Sequence, residues 1–315
     1  MDASIWENIK PWGALLKFVR AADETTFRAE RSKSTPQKDL FNFSGLLCLG
    51  ASYAFLLTVY HGPTLGVAIF LGCMLLTAAR ITLVAFRKAW FFENRTVLLA
   101  VMHQGHAILA TLASRYVPMP TLESAAFVPI ALLMRTPVAI LVSFGPLMAI
   151  PFRFHLFSQL VACFASSLWV PWFCDRCNDP SNSYPIETAS DLFPNLHQGI
   201  TQWLHRSTIV GVFINSQEPP VEQSLCWPSM LFLHWTFAFF VPCLVAYCVE
   251  VRQRWEFVAS PSRRSPFASN ARTDAYGSLF MGFWGAFMMV QATWIMLREI
   301  GGALQENPKL DSLCA

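Results

Sequence analysis

Charge is scarce in this sequence. Only 14% of its 315 residues are Asp, Glu, Lys or Arg, against about 25% in a soluble domain. Carboxylates are rarer still in the long apolar stretches: none of these carries Asp, and Glu stands only near their ends. That excludes a carboxylate pair for acid–base catalysis and an acidic proton relay within them. Catalytic signatures are missing too. There is no H-E-x-x-H, G-x-S-x-G, Walker or EF-hand loop, and no His followed after four residues by Asp as in an acyltransferase. A net charge of +3, spread over short patches, is too small for nucleic acid. The start of the chain lacks the pattern of a cleaved signal, and its acids Asp2, Glu7, Asp23, Glu24 and Glu30 argue against a transit peptide. The first hydrophobic helix is therefore expected to be an uncleaved anchor.

What the sequence does hold is apolar surface. Hydrophobic residues make up 54%, with 27 Phe and 11 Trp. Water is a poor solvent for such a chain and a bilayer a good one. A hydrocarbon core of about 30 Å needs roughly 20 apolar residues in a helix. Seven stretches qualify: Phe41–Tyr60, Leu65–Phe86, Val97–Ser114, Leu122–Ile150, Phe154–Trp172, Ser229–Val249 and Tyr276–Leu297. The fourth is long and carries Pro129, Pro137, Pro146 and Arg135, so it crosses either once, kinked, or twice.

Basic residues decide between these. Lys and Arg number seven in residues 1–38, three in 87–95 and five in 251–275, but two in 172–226 against six acids. The three basic segments share one side only if the fourth stretch crosses once. The expected fold is thus all-α, a polytopic transmembrane helix bundle of about seven spans with a cytosolic N-terminus. Segment 1–38 precedes the bundle at 39–298, which includes an outer loop (173–227) and a basic cytosolic loop (251–275), and 299–315 is a C-terminal tail. Trp90, Trp169, Trp172, Trp227 and Trp255 fall near span ends, where an interfacial belt belongs. In "SIWENIKPWGALLKFVRAA", Ile5, Trp6, Ile9, Leu16 and Val19 share a helical face. This helix lies on the cytosolic leaflet or packs on the bundle. The lipid bilayer is the expected partner, with anionic lipid at the basic segments. The Ser- and Arg-rich "SPSRRSPFASNART" is a phosphorylation segment or a plain connector.

The outer loop holds Cys174, Cys177 and Cys226, with His197 and His205 between. Cys226 bridged to Cys174 or Cys177 would tie the loop ends at the membrane edge, and three Cys with one His would suit zinc. The oxidising side of the membrane favours the disulfide, and unpaired thiols are the third alternative. In "SDLFPNLHQGITQWLHR", Ser190 caps a short amphipathic helix whose Leu192, Leu196, Ile200, Trp203 and Leu204 recur at helical spacing, as a lid or a plug.

Polar residues within spans are the candidate ligand or pathway residues. Helical rise puts Arg80 and His103 each about 9 Å, and Gln159 about 8 Å, from the cytosolic end of their spans. With Gln104 they form an inner polar layer, and His106 lies one turn deeper. His234 and Gln291 both fall at about 20 Å, a second, outer layer. The alternative is that these groups only pin helices together, at about 0.6 kcal/mol each, with Arg80 snorkelling to the headgroups. Haem ligation by His103 and His106 is excluded, since both stand on one helix. No cofactor or metal is called for.

The run "HWTFAFFVPCLVAYCVEVRQRWEF", residues 234–257, resembles a segment of multi-pass membrane proteins of green algae, a resemblance that implies membrane placement and no activity. Span number and orientation match the progestin and adiponectin receptor family, but its H-x-x-x-H is missing from the last span, "YGSLFMGFWGAFMMVQATWIML", which excludes that assignment. Three functions are left: transport or sensing of a small molecule or ion through the inner layer, a scaffold recruiting partners by the 251–275 loop, and a membrane oxidoreductase or metalloenzyme.

Overall fold

The computed structural model describes residues 24–31, 64–116, 150–178, 197–202, 226–258 and 282–297, with isolated positions at 22, between 43 and 58, at 141, 194–195 and 279–280. All the regular structure among them is helical. In chain order the helices are α1 (residues 24–31), α2 (Leu65–Phe86), α3 (Lys88–Tyr116), α4 (Phe152–Ser167), α5 (Trp169–Asn178), α6 (Cys226–Trp235), a π-helical turn (Thr236–Phe240), α7 (Val241–Val258) and α8 (Gly282–Leu297). Three helical stretches are long and apolar enough to cross a membrane: Leu65–Phe86, Phe152–Cys174 and Cys226–Val258. The expected spans Phe41–Tyr60 and Leu122–Ile150 lie outside the described residues, apart from isolated positions. So does the N-terminal amphipathic stretch.

Three boundaries differ from the expected ones. α3 begins at Lys88, not Val97, because the residues between hold no Pro or Gly to stop a helix. The expected fifth span, Phe154–Trp172, is broken at Leu168. Pro171 cannot donate to the Ser167 carbonyl, and its ring crowds that carbonyl. α7 runs to Val258, so Arg252 and Arg254 are helical and not part of a loop.

α2 and α3 form an antiparallel hairpin. Thr64 Oγ1 accepts from Val67 N–H at 3.3 Å to start α2. The helix ends at Arg87, and α3 starts one residue later. The α4–α5 and α6–α7 stretches pair antiparallel along their whole length. Phe152 meets Glu250, Gln159 meets Ala238, Ser166 meets His234, and Cys174 is joined to Cys226 by a disulfide. Residue numbers thus fall on one stretch as they rise on the other. α8 also runs antiparallel to α6–α7, with Trp294 against Phe232 at 4.9 Å and Gly282 against Tyr247. A Cβ on Gly282 would stand 2.6 Å from Tyr247 Cε1, and the Tyr247 ring is itself packed edge-on against Phe152 at 5.2 Å. Gly282→Ala is therefore expected to cost about 1–3 kcal/mol through overpacking, read as a lower melting temperature in detergent. An unchanged melt would mean the ring can swing aside.

A buried ion network closes the end of this assembly. Glu250 Oε2 accepts from Phe152 N–H at 2.6 Å, at the first turn of α4, where a backbone donor has no helical partner. Glu250 Oε1 accepts from Arg254 Nε at 3.0 Å and Nη2 at 2.7 Å. Arg254 Nη1 donates to Glu24 Oε2 at 2.8 Å, and its guanidinium lies 4.5 Å from the Phe27 ring centroid. Arg28 holds the other oxygen of Glu24 at 2.9 Å, and Arg31 stands 3.6 Å from Glu250. Burial pushes the Arg31 guanidinium below its ordinary range. Glu250 opposes that shift, while Arg95 and Arg254 add to it. Helix α1 is thereby clamped to the end of α7.

Candidate functional site

α4 is polar on its buried face and apolar on its exposed one. His155, Ser158, Gln159 and Ser166 are buried, whereas Phe154, Phe157, Leu160, Val161, Phe164 and Leu168 are exposed. Water would favour the reverse. A lipid solvent favours this arrangement, with polar groups turned into the bundle.

Proline creates the central contact of this face. Pro242 has no N–H, so the Ala238 carbonyl, four residues earlier, loses its usual helical donor. The chain takes up a π-helical turn here, closed by Val241 N–H on the Thr236 carbonyl. Gln159 Nε2 donates to the freed Ala238 carbonyl and, at 3.4 Å, to that of Leu141. The amide orientation follows, and Gln159 Oε1 is left to accept from His103 Nε2 at 2.8 Å. Gln104, one residue on, donates from Nε2 to the Ser158 carbonyl at 2.6 Å and to Ser158 Oγ at 2.9 Å.

A second cluster joins α2 to α3. Arg80 is fully buried and does not snorkel. Its Nη2 donates to His106 Nδ1 at 3.0 Å, its Nε meets Met102 Sδ at 3.2 Å, and its guanidinium lies 5.5 Å from the Phe43 ring centroid. Arginine only donates and the Met102 carbonyl, 2.7 Å from the same Nδ1, only accepts, so His106 Nδ1 stands between a donor and an acceptor. His106 Nε2 lies 3.1 Å from the Cys73 carbonyl, with Thr77 Oγ1 also at 3.1 Å.

The inner-layer residues are thus brought together in two groups: His103, Gln104 and Gln159 in one, Arg80 and His106 in the other. The outer pair is not joined by a hydrogen bond. His234 Nε2 donates to Ser166 Oγ at 2.8 Å, that hydroxyl being committed to the Cys163 carbonyl. Gln291 is buried with no hydrogen-bond partner for its amide among the described residues. Antiparallel pairing sets it near the depth of Thr236, whose Oγ1 also lacks a partner there.

In the expected outer loop Cys174 and Cys226 are the bonded pair, and the Cys177 side chain lies outside the described residues. His197 and Ile200 of the helical segment 197–202 are buried, with the His197 ring 4.9 Å from that of Trp294. Ser190, Leu192, Leu196, Trp203, Leu204 and His205 lie outside the described residues. No three His, Cys, Asp or Glu side chains are grouped for a metal ion among the described residues.

Sequence reasoning missed His155. It stands second in its expected span, a place that reads as interfacial, yet it is 1% exposed. The available signal was its spacing, four residues before Gln159 on one helical face. Glu250 was likewise not singled out, since Glu near the end of an apolar stretch reads as interfacial.

Replacing Gln159 with leucine would strip the His103 N–H and the Ala238 carbonyl of their partner. Each buried orphan costs about 1–3 kcal/mol, so Gln159→Leu is expected to lower stability by about 2–6 kcal/mol. His103→Ala should cost less in the Gln159→Leu background than in the wild type, because the two share one bond. Additive losses in a double-mutant cycle would show the contact carries no energy.

Among the described residues, then, this is an all-helical protein with three helices long and apolar enough to cross a membrane. No protein-family model, curated protein or solved structure matches the chain.

Proposed function

We propose that this is a multi-pass integral membrane protein of about seven spans with a cytosolic N-terminus, which moves or senses a small molecule or ion through the polar layer around His103 and Gln159. The observation that carries this reading is the His103–Gln159–Ala238 connection. It links a titratable side chain on α3, through one amide on α4, to a π-turn within the membrane-length stretch Cys226–Val258. Such turns recur at functional sites and allow a long helix to bend. A change at His103 therefore has a mechanical outlet.

The same contact supports seven spans over eight. With seven, His103 and Gln159 fall about 9 and 8 Å from the cytosolic face. With eight, the span of Gln159 would start from the outer face and place it about 22 Å from the cytosolic one, too deep to meet His103. The scaffold reading is weaker, because Arg254, one of the basic residues it relies on, is committed to Glu24 and Glu250.

The test is water access to the layer. Ser158→Cys, made with the other free cysteines replaced by alanine and reconstituted into vesicles, is expected to react with a small cationic methanethiosulfonate. A folded protein in which that thiol stays unreactive would reduce the layer to a set of helix pins.

A further inference from the structure

Two imidazole nitrogens of the inner layer lack a hydrogen-bond partner among the described residues. His103 Nε2 donates to Gln159 Oε1, an oxygen that only accepts, so His103 Nδ1 is the unprotonated nitrogen. It is buried and has no partner among the described residues. His155 meets the backbone of Pro242, which has a carbonyl and no N–H, so His155 must donate there. Its Nε2 lacks a partner among the described residues, so Nδ1 is the donor and Nε2 the second unprotonated nitrogen.

Helix geometry sets the two close together. His155 is one turn from Gln159 on the same face of α4, Gln159 holds the His103 ring, and the two rings lie within electrostatic reach of each other. An unpartnered buried nitrogen is costly in a low-dielectric interior, and here two such nitrogens of the same kind stand on adjacent helices. The charged and titratable groups on the surrounding elements include Cys73 and Arg80 on α2, Glu93, Arg95 and His106 on α3, Arg153 and Cys163 on α4, Cys243, Glu250, Arg252, Arg254 and Glu256 on α7, and Glu24, Arg28, Glu30 and Arg31 on α1. Arg80 acts on His103 directly, and two imidazolium ions beside it would repel one another. The pair is therefore built for one added positive charge, not two.

We infer that His103 and His155 are a one-proton relay, and that the ion this layer carries is H⁺. This rests on the pathway reading above and narrows it. A proton arriving past Phe152 and Glu250, one turn below His155, adds to His155 Nε2 and makes it an imidazolium. The two nitrogens are not hydrogen-bonded to each other, so a water admitted to the layer carries the transfer: it takes the proton of His155 Nε2 as it gives one of its own to His103 Nδ1, and His155 returns to neutral. No electron is gained or lost. While His103 is charged its Nε2–H bond to Gln159 strengthens, as charge-assisted bonds do, and Gln159 passes the change to the Ala238 carbonyl in the π-turn.

The full chain is reconstituted into liposomes containing a pH-sensitive dye, and a potassium diffusion potential drives proton entry. Flux well above that of empty liposomes is expected. It should fall at least tenfold in His155→Gln and in His103→Gln, which keep an amide in place of the ring, and stay at the wild-type level in His197→Ala, in the outer segment. Melting temperatures identify any variant lost to misfolding; for such a variant, His155→Asn or His103→Asn takes its place. Wild-type flux no greater than empty liposomes, or equal flux in folded variants of both histidines, overturns the proposal. So does a stoichiometric metal that copurifies with the wild type and is lost from both variants, since it would occupy the same lone pairs. If Ser158→Cys is labelled while no protons move, the proton assignment falls and the pathway stands. An unlabelled thiol with no flux removes both.

Discussion

Glu250→Ala is expected to remove about 3–5 kcal/mol of stability, the range for breaking a buried charge pair from one side. The carboxylate serves three partners at once: Phe152 N–H at the start of α4, Arg254 one turn along α7, and Arg31 of α1. Removing it leaves Arg254, only 3% exposed, with Glu24 as its remaining carboxylate partner in the network. The cluster would then hold Arg28, Arg31 and Arg254 against a single acid. Glu250→Gln keeps an acceptor for the Phe152 amide and removes only the charge, so it should cost less. The check is thermal unfolding in detergent, together with protease cutting near residue 31, which should accelerate as α1 loses its clamp. A melt shifted no more than by an average surface substitution, within about 0.5 kcal/mol, would mean the network is solvated and weak.

Breaking the Cys174–Cys226 bond is the other large loss. The bond joins positions 52 apart in sequence. Chain-entropy arguments assign a closed loop of that size about 4 kcal/mol. Cys174→Ser and Cys226→Ser should each lower the melting temperature, and the double replacement should cost no more than either single one. A reducing agent should destabilise the wild type and leave the variants unchanged. Wild-type protein insensitive to reductant under conditions that cleave the bond would show that the two helix ends hold together without it. Under the pathway reading this end faces away from the cytosol, so both cysteines should also be oxidised in protein taken from cells. Thiol counting under denaturing conditions reads that directly.

The local features of the protein were legible in the sequence. Apolar length marks the stretches that become α2, α4–α5 and α6–α7, because a bilayer-spanning helix needs a run of apolar residues whatever surrounds it. Proline positions mark the irregularities. Pro171 goes with the break at Leu168, and Pro242 with the π-turn, through a missing N–H that any reader of the chain can see. The rarity of polar residues in these stretches singled out Arg80, His103, Gln104, His106, Gln159 and His234, since each is costly in lipid and must find a partner.

Which partner each one finds was decided by tertiary structure. Depth along a helix is a one-dimensional quantity. It put Arg80 level with His103, but the facing of α2 and α3 gave Arg80 to His106. Depth also put His234 level with Gln291, yet the rotation of α4 gave His234 to Ser166. The ion network was beyond any local reading, since Glu24 and Arg254 stand 230 positions apart and neither lies in an expected span. Hydropathy and period describe one helix in its solvent. Hydrogen bonds and ion pairs depend on how two helices are turned toward each other, and that angle exists only once the bundle is packed.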